Sequence, residues 1–240
     1  MNNKLFDKNY VVLDGAMGTM LQQKGMELGT VPETLNITKS DWIVDIHKQY
    51  IEAGADVVYA NTFGANRYKM KNTGYTVDEL INAAIANAKE AAKGTDAMVA
   101  LDMGPIGQLL EPTGNLSFEE AYDIFKEEVV AAKDADIIVI ETMTDLLETK
   151  AAVLAAKENS NLPVITTMTF EENKRTFTGC SVSAMCLTLE GLGVDAMGVN
   201  CSLGPKDLIP IVEEISKWTS LPIVVKANAG LPDPVTNTYD

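Results

Sequence analysis

Basic residues are scarce in this 240-residue chain: 19 Lys+Arg stand against 34 Asp+Glu, a formal net charge of −15. A surface of that sign repels a polyanion, which disfavours electrostatic binding to nucleic acid. No apolar run reaches the roughly 18 residues that a membrane span requires, and the N-terminus, MNNKLFDKNY, lacks the apolar core of a signal peptide. Three cysteines are an odd count that suggests no disulfide scaffold. No G-x-G-x-x-G follows the first apolar run, which weakens a dinucleotide-binding reading, and no glycine-rich segment carries the Lys-Ser/Thr ending of a P-loop. A 46% hydrophobic fraction is ordinary for a globular protein. These bounds lead to the expectation of a soluble, cytoplasmic α/β protein with no nucleic-acid or membrane partner.

Short β-branched runs occur at Tyr10–Leu13, Asp56–Tyr59, Ala97–Leu101, Asp136–Ile140, Pro163–Thr167, Ala196–Val199 and Pro222–Lys226. They are nearly continuous in hydrophobicity, as strands buried on both faces are. Longer segments of helical spacing lie between them. Trp42, Ile43, Ile46, Tyr50 and Ile51 share one helical face, with Gly54 as a stop. Thr76 with Glu79 and Ser117 with Glu120 form capping boxes, Asp145 with Glu148 is a similar start, and Pro205 suits the first turn of a helix running to about Trp218. Run starts recur at roughly 25–45 residues, the spacing of βαβ units. The expected fold is one domain over residues 1–240 built on a parallel sheet, with the doubly wound sheet and the eightfold barrel as the two closures. Seven runs fall one short of a closed barrel, and the tail GLPDPVTNTYD reads as a loop leaving the seventh.

In a parallel barrel the site lies where the strands end. Those positions hold Asp14, Asn61, Asp102, Glu141, Thr169, Cys201 and Asn228. Strand ends and helix caps favour Asp, Asn and Thr for structural reasons alone, so single positions carry little weight. Glu141 is the clearest, a carboxylate directly after Ile137–Ile140 that needs a cationic partner such as a substrate ammonium. The glycines of Asp14-Gly15-Ala16-Met17-Gly18-Thr19 allow exposed amides to hold an anion, although a glycine after a strand is usually a turn. Cys201 could serve as nucleophile or metal ligand. The single histidine, His47, reads as an exposed or half-packed helix residue, which disfavours a Cys-His hydrolase, and one cysteine does not make a zinc site.

Several motifs, in order, coincide with those of a known family. They are Leu13-Asp14-Gly15-Ala16-Met17-Gly18-Thr19, Pro32-Glu33-Thr34-Leu35-Asn36, Ala60-Asn61-Thr62-Phe63-Gly64-Ala65, Asp102-Met103-Gly104-Pro105, Ile140-Glu141-Thr142, Met168-Thr169-Phe170, Gly198-Val199-Asn200-Cys201-Ser202-Leu203-Gly204-Pro205 and Asn228-Ala229-Gly230. By them the chain resembles the homocysteine S-methyltransferase family over essentially its whole length. Within that family it is most similar to the N-terminal homocysteine-binding module of cobalamin-dependent methionine synthases.

The resemblance implies a (β/α)8 TIM-type barrel, here expected to be truncated after strand seven. It implies methyl transfer to the thiol of homocysteine, with a zinc ion on three cysteine thiolates. One ligand falls on Cys201; the other two come from a Gly-Gly-Cys-Cys-Gly segment that this sequence does not contain. A free thiol has a pKa of about 8.5, and zinc would strip its proton. By resemblance Glu141 and Asp102 face the substrate ammonium and the Gly18–Thr19 backbone receives its carboxylate. Asn61, Thr62 and Phe63 help line the pocket, with Thr169 and Asn228 also at its mouth, and Asp14 orders the first loop. Catalytic roles fall to Cys201, Glu141 and Asp102. The implied methyl donor is methylcobalamin on another module, with folate and corrinoid modules or proteins as partners. With only one of the three zinc ligands present, this chain alone is expected to be inactive. A non-catalytic small-molecule binding or interaction module derived from the same fold is the alternative. An open barrel edge invites self-association.

Overall fold

The alternation of sequence resolves into strands that each lie beside their sequence neighbour. The computed structural model describes residues 8–228. Helix α1 (Met17–Gln23), a 3-10 turn (Pro32–Thr34), α2 (Leu35–Thr38) and α3 (Ser40–Glu52) precede β1 (Val57–Tyr59). There follow α4 (Val77–Ala92), β2 (Met98–Met103), α5 (Phe118–Ala131), β3 (Ile137–Met143), α6 (Leu146–Asn159), β4 (Val164–Met168), α7 (Val182–Gly191), β5 (Ala196–Asn200), α8 (Pro205–Ile215) and β6 (Ile223–Lys226). The sheet is six-stranded in the order β1 to β6, every pairing parallel. The last run, Pro222–Lys226, pairs as β6; the first, Tyr10–Leu13, is reduced to one parallel bridge, Leu13 with Val57. There the Val12 amide donates to the Asp56 carboxylate (2.9 Å) and the Asp14 amide to the Val57 carbonyl (3.1 Å).

Period-two alternation sorts the strand residues between two cores. Val58, Val99, Leu101, Ile138, Ile140, Val164, Met197 and Val199 pack outward among the helices. Val57, Tyr59, Ala100, Ile137, Val139, Ile165 and Ala196 pack on the other face. In a flat sheet β1 and β6, five spacings apart, would lie about 24 Å from each other. Instead the Lys226 ammonium sits 3.7 Å from the centre of the Tyr59 ring. The sheet is therefore curled into part of a barrel wall, its second face turned inward.

The two expected capping boxes form as read, with Thr76 and Ser117 each accepting from the N3 amide. At α6 the box does not close: Asp145 caps Leu147, while Glu148 turns away to accept from the Ile106 amide at 2.7 Å. His47 also departs from the sequence reading. It is fully buried with neither ring nitrogen partnered, and burial pushes its pKa down to about 4, so it stays neutral. The heptad-like spacing of α3 carries it onto the same side as Ile43, the buried face.

The end of the sheet where strands begin shows a recurrent device. Asp56, Asp136 and Asp195 each precede a strand and clasp the strand before it. Their amides donate to the carbonyls of Val12, Val99 and Val164, and their carboxylates accept from the amides of the same three residues. Lys8, Lys89 and Lys157 complete the three clasps from outside. Asp136→Ala and Asp195→Ala are each expected to destabilise the fold by about 1–2 kcal/mol, because each frees an amide hydrogen-bonded to a charged acceptor. Urea unfolding followed by circular dichroism measures the loss; an unchanged midpoint would refute the clasp.

Candidate active site

The inward face continues upward from the apolar core into polar side chains. Residues two apart share a face, so Asp102 follows Met98 and Ala100, Glu141 follows Ile137 and Val139, and Thr167 and Thr169 follow Ile165. By the same rule Asn200 follows Ala196 and Gly198, and Lys226 follows Val224. The inward file thus changes from hydrocarbon to ionisable groups where the strands end, as in barrel enzymes.

Lys226 is the centre of this cluster. Its ammonium stands 3.6 Å from Asp14 Oδ1 and 3.6 Å from Glu141 Oε2, above the Tyr59 ring. Asp14 is buried, its Oδ2 accepting from the Tyr59 amide at 2.8 Å. Burial pushes its pKa up to about 7 even though Lys226 works the other way. Asp102 is buried with Oδ1 unpartnered; desolvation first and the Glu141 charge second hold it well above the usual carboxylate range. For Lys226, burial alone would lower the pKa, but Glu141, Asp14 and Asp102 outweigh it and the net shift is upward.

A second network surrounds Cys201. The Asn200 amide group donates to Thr142 Oγ1 (2.7 Å) and to Cys201 Sγ (3.4 Å), and its oxygen accepts from the Thr142 amide and from Thr167 Oγ1, both at 2.9 Å. Thr142, Cys201 and Ser202 all have left-handed backbones, with φ of 61°, 57° and 56°. Such conformations are strained for residues other than glycine and gather at ligand sites. Asn200 holds Thr142 in that conformation at both its amide and its hydroxyl. The Cys201 amide donates to the Lys226 carbonyl at 3.1 Å, which ties the thiol to the lysine's strand. Burial raises the Cys201 thiol pKa, so the thiol stays protonated at neutral pH.

The structure therefore brings Asp14, Asp102, Glu141 and Cys201 to one region around Lys226. Thr169 lies beside it, its hydroxyl donating to the Asn200 carbonyl at 3.1 Å, and the Asn228 amide donates to the Leu203 carbonyl at 3.2 Å. Asn61 and Thr62 are bonded into the scaffold. Asn61 donates to the Pro32 carbonyl and to Asn36 Oδ1, and Thr62 Oγ1 exchanges hydrogen bonds with the Asp102 backbone. Phe63 lies over Gly104, where a side chain would strike its ring. Gly18 and Thr19 are exposed in the first turn of α1. The sequence reading missed Lys226, Tyr59 and Asn200. Lys226 was legible, since it closes the run Pro222–Lys226 on the inward phase; the expected strand-end position falls instead on Asn228, two residues further.

A curled parallel β/α sheet with ionisable groups gathered at its strand ends defines a barrel-type α/β protein with a polar ligand site. The model of the family described as homocysteine S-methyltransferase matches residues 11–240, and the chain belongs to that family. It is 34% identical over 245 residues to a methionine synthase of Mycobacterium leprae (92% of this chain, 20% of the relative). Against a methionine synthase of Mycobacterium tuberculosis it is 33% identical over 251 residues (95% of this chain, 21% of the relative). The chain thus spans about a fifth of the length of these curated relatives. Among solved structures, the metallated homocysteine methyltransferase MmuM of Escherichia coli superposes with a TM-score of 0.86 at 23% identity, covering 95% of this chain and 87% of that one. Its apo form gives 0.78 at 22% identity, covering 94% and 84%. These two likenesses show a shared fold.

Among the described residues no group of three or more His, Cys, Asp or Glu side chains is placed to hold a metal ion. Cys201 offers one thiol, already engaged by Asn200. The described residues therefore do not by themselves compose a zinc centre. No helix among them is long and apolar enough to cross a membrane.

Proposed function

We propose that this chain binds homocysteine at the C-terminal ends of its strands and forms the acceptor part of a methyl transfer to the homocysteine thiol, giving methionine. One observation carries the reading: Asp14 and Glu141 each lie 3.6 Å from Lys226, with the buried Asp102 of β2 in the same electrostatic cluster, beside the thiol of Cys201. A pocket of that composition suits the charged end of an amino acid that also carries a sulfur. Glu141 and Asp102 take the ammonium, one of whose three N–H groups satisfies the orphaned Asp102 Oδ1. The Gly18 and Thr19 amides receive the carboxylate, and Asp14, Asn61, Thr62, Phe63, Thr169 and Asn228 shape the pocket and its mouth. Capture of the amino-acid end by these residues needs no metal.

Cys201 is the one zinc ligand that this sequence contributes; zinc, when bound, supplies the acidity that makes the substrate thiol a nucleophile. The methyl donor is methylcobalamin on a corrinoid module that a folate module recharges, and the protein works in the cytoplasm. Likeness to the methionine synthases supports this part of the reading.

Calorimetric titration of homocysteine tests the proposal. Saturable binding is expected for the chain, weakened at least tenfold in Glu141→Gln and in Asp102→Asn. Absence of binding, or binding indifferent to both variants, would overturn it. The single thiol at the mouth favours a second reading, a non-catalytic binding module; homocysteine binding without zinc retention, even with zinc supplied, would select it.

A further inference from the structure

Lys226 is not accounted for by the roles above. Its ammonium is 3.6 Å from each of two carboxylates, outside direct N–H···O distance from either. It is an ion pair without a locked geometry, supported from below by the Tyr59 ring at 3.7 Å. Two buried oxygens facing the cluster, Asp14 Oδ1 and Asp102 Oδ1, have no hydrogen-bond donor. The cluster thus lacks donors for these two oxygens, and the lysine, although paired electrostatically, has no hydrogen-bond acceptor among the described residues.

We propose that Lys226 is a specificity-determining residue that pairs with the α-carboxylate of the ligand, while the acidic side chains take its α-ammonium, so that the pocket accepts the zwitterionic end of an amino acid and rejects ligands bearing either charge alone. The inference deepens the homocysteine reading and rests on it. Its physical basis is charge complementarity. An amine without a carboxylate meets Lys226 with a like charge, and an acid without an amine meets Glu141 and Asp14 and leaves Asp102 Oδ1 without a donor. A zwitterion supplies both missing partners. Lysine offers the mobile point charge for this role, able to leave Glu141 as the ligand ammonium arrives. It supplements the amides of α1 with a formal charge.

Three ligands separate the contributions: homocysteine, 3-aminopropane-1-thiol, which lacks the carboxylate, and 4-mercaptobutanoate, which lacks the ammonium. Calorimetry on the whole chain should rank homocysteine at least tenfold above both. In Lys226→Met, homocysteine should weaken at least tenfold while 3-aminopropane-1-thiol holds or tightens. Lys226→Arg should restore most of the homocysteine affinity. Equal weakening of homocysteine and the amine in Lys226→Met, with an unchanged melting temperature, would assign the lysine a merely structural role and overturn the inference. So would unchanged homocysteine affinity in Lys226→Met. Failure of the unmodified chain to bind homocysteine would instead remove the functional reading on which the inference stands.

Discussion

Raising the pH from 5 to 8 is expected to weaken this fold by several kcal/mol. Asp14, Glu33, Asp102, Glu128 and Glu148 all have carboxyl pKa values raised by burial. A carboxyl that binds its proton more tightly when folded stabilises the fold at low pH, and that contribution is lost as pH rises through the folded pKa. Glu148 is the simplest case: its ordinary value of 4.5 becomes about 7 in the fold. A shift of that size corresponds to about 3 kcal/mol, lost between pH 4.5 and the folded value. Glu128 acts in the same direction, fully buried with both oxygens unpartnered. His47 opposes the trend: its depressed pKa makes stability rise with pH between about 4 and 6.5. It contributes one proton against those of five carboxyls, and above pH 6.5 it no longer contributes. Carboxylates whose pKa is lowered, such as Asp56, lose their contribution only in stronger acid.

Urea unfolding at pH 5, 6, 7 and 8 measures the effect. Repulsion arising from the net charge of −15 acts in the same direction but is screened by 0.5 M salt, whereas the buried protons are not. Glu148→Gln keeps an oxygen for the Ile106 amide and removes the titration, so its profile should be flatter between pH 5 and 7. Stability that is constant or rising across the range would show that these carboxyls remain ionised in the fold.

Gly198→Ala is expected to cost more than about 3 kcal/mol, a fall in Tm of roughly 6–12 °C. Gly198 pairs with Val224 in the β5–β6 register, and a Cβ there would land on the Val224 carbonyl, a backbone atom that cannot swing aside. The strand displaced is the one that carries Lys226, so homocysteine binding should fall with stability. Gly191→Ala, which adds a methyl group to open space at the end of α7, is the control and should melt as the parent does. A Gly198→Ala protein that melts with the parent would mean that β6 is not held against β5 at this spacing.

The periodicity of the chain made most of the fold legible. Seven apolar runs became six strands and a bridge, and the capping boxes at Thr76 and Ser117 fixed two helix starts. The site was legible where a carboxylate or cysteine interrupted an apolar run, as at Asp102, Glu141 and Cys201. What escaped depended on sheet curvature, which no local pattern encodes. Glu141 was correctly read as needing a cation, but only curling of the sheet brings the strand of Lys226 round to meet it. The fate of Glu148 was hidden for a related reason: its partner is the amide of Ile106, 42 residues earlier in the chain. His47 reads from sequence as exposed or half-packed, yet its helical phase, four residues after Ile43, places it inside.

The aspartate clasps join Leu13's segment to β1, β2 to β3, and β4 to β5, and none of them joins β1 to β2, β3 to β4 or β5 to β6. Aspartate thus stitches the wall in twos at the end where the strands begin. At the ligand end other bonds close the seams between the pairs: Cys201 N–H to the Lys226 carbonyl across β5 and β6, and Thr169 N–H to the Met143 carbonyl across β3 and β4. The wall is fastened at both rims by different chemistry, charged clasps at the base and uncharged bonds about Asn200 at the mouth.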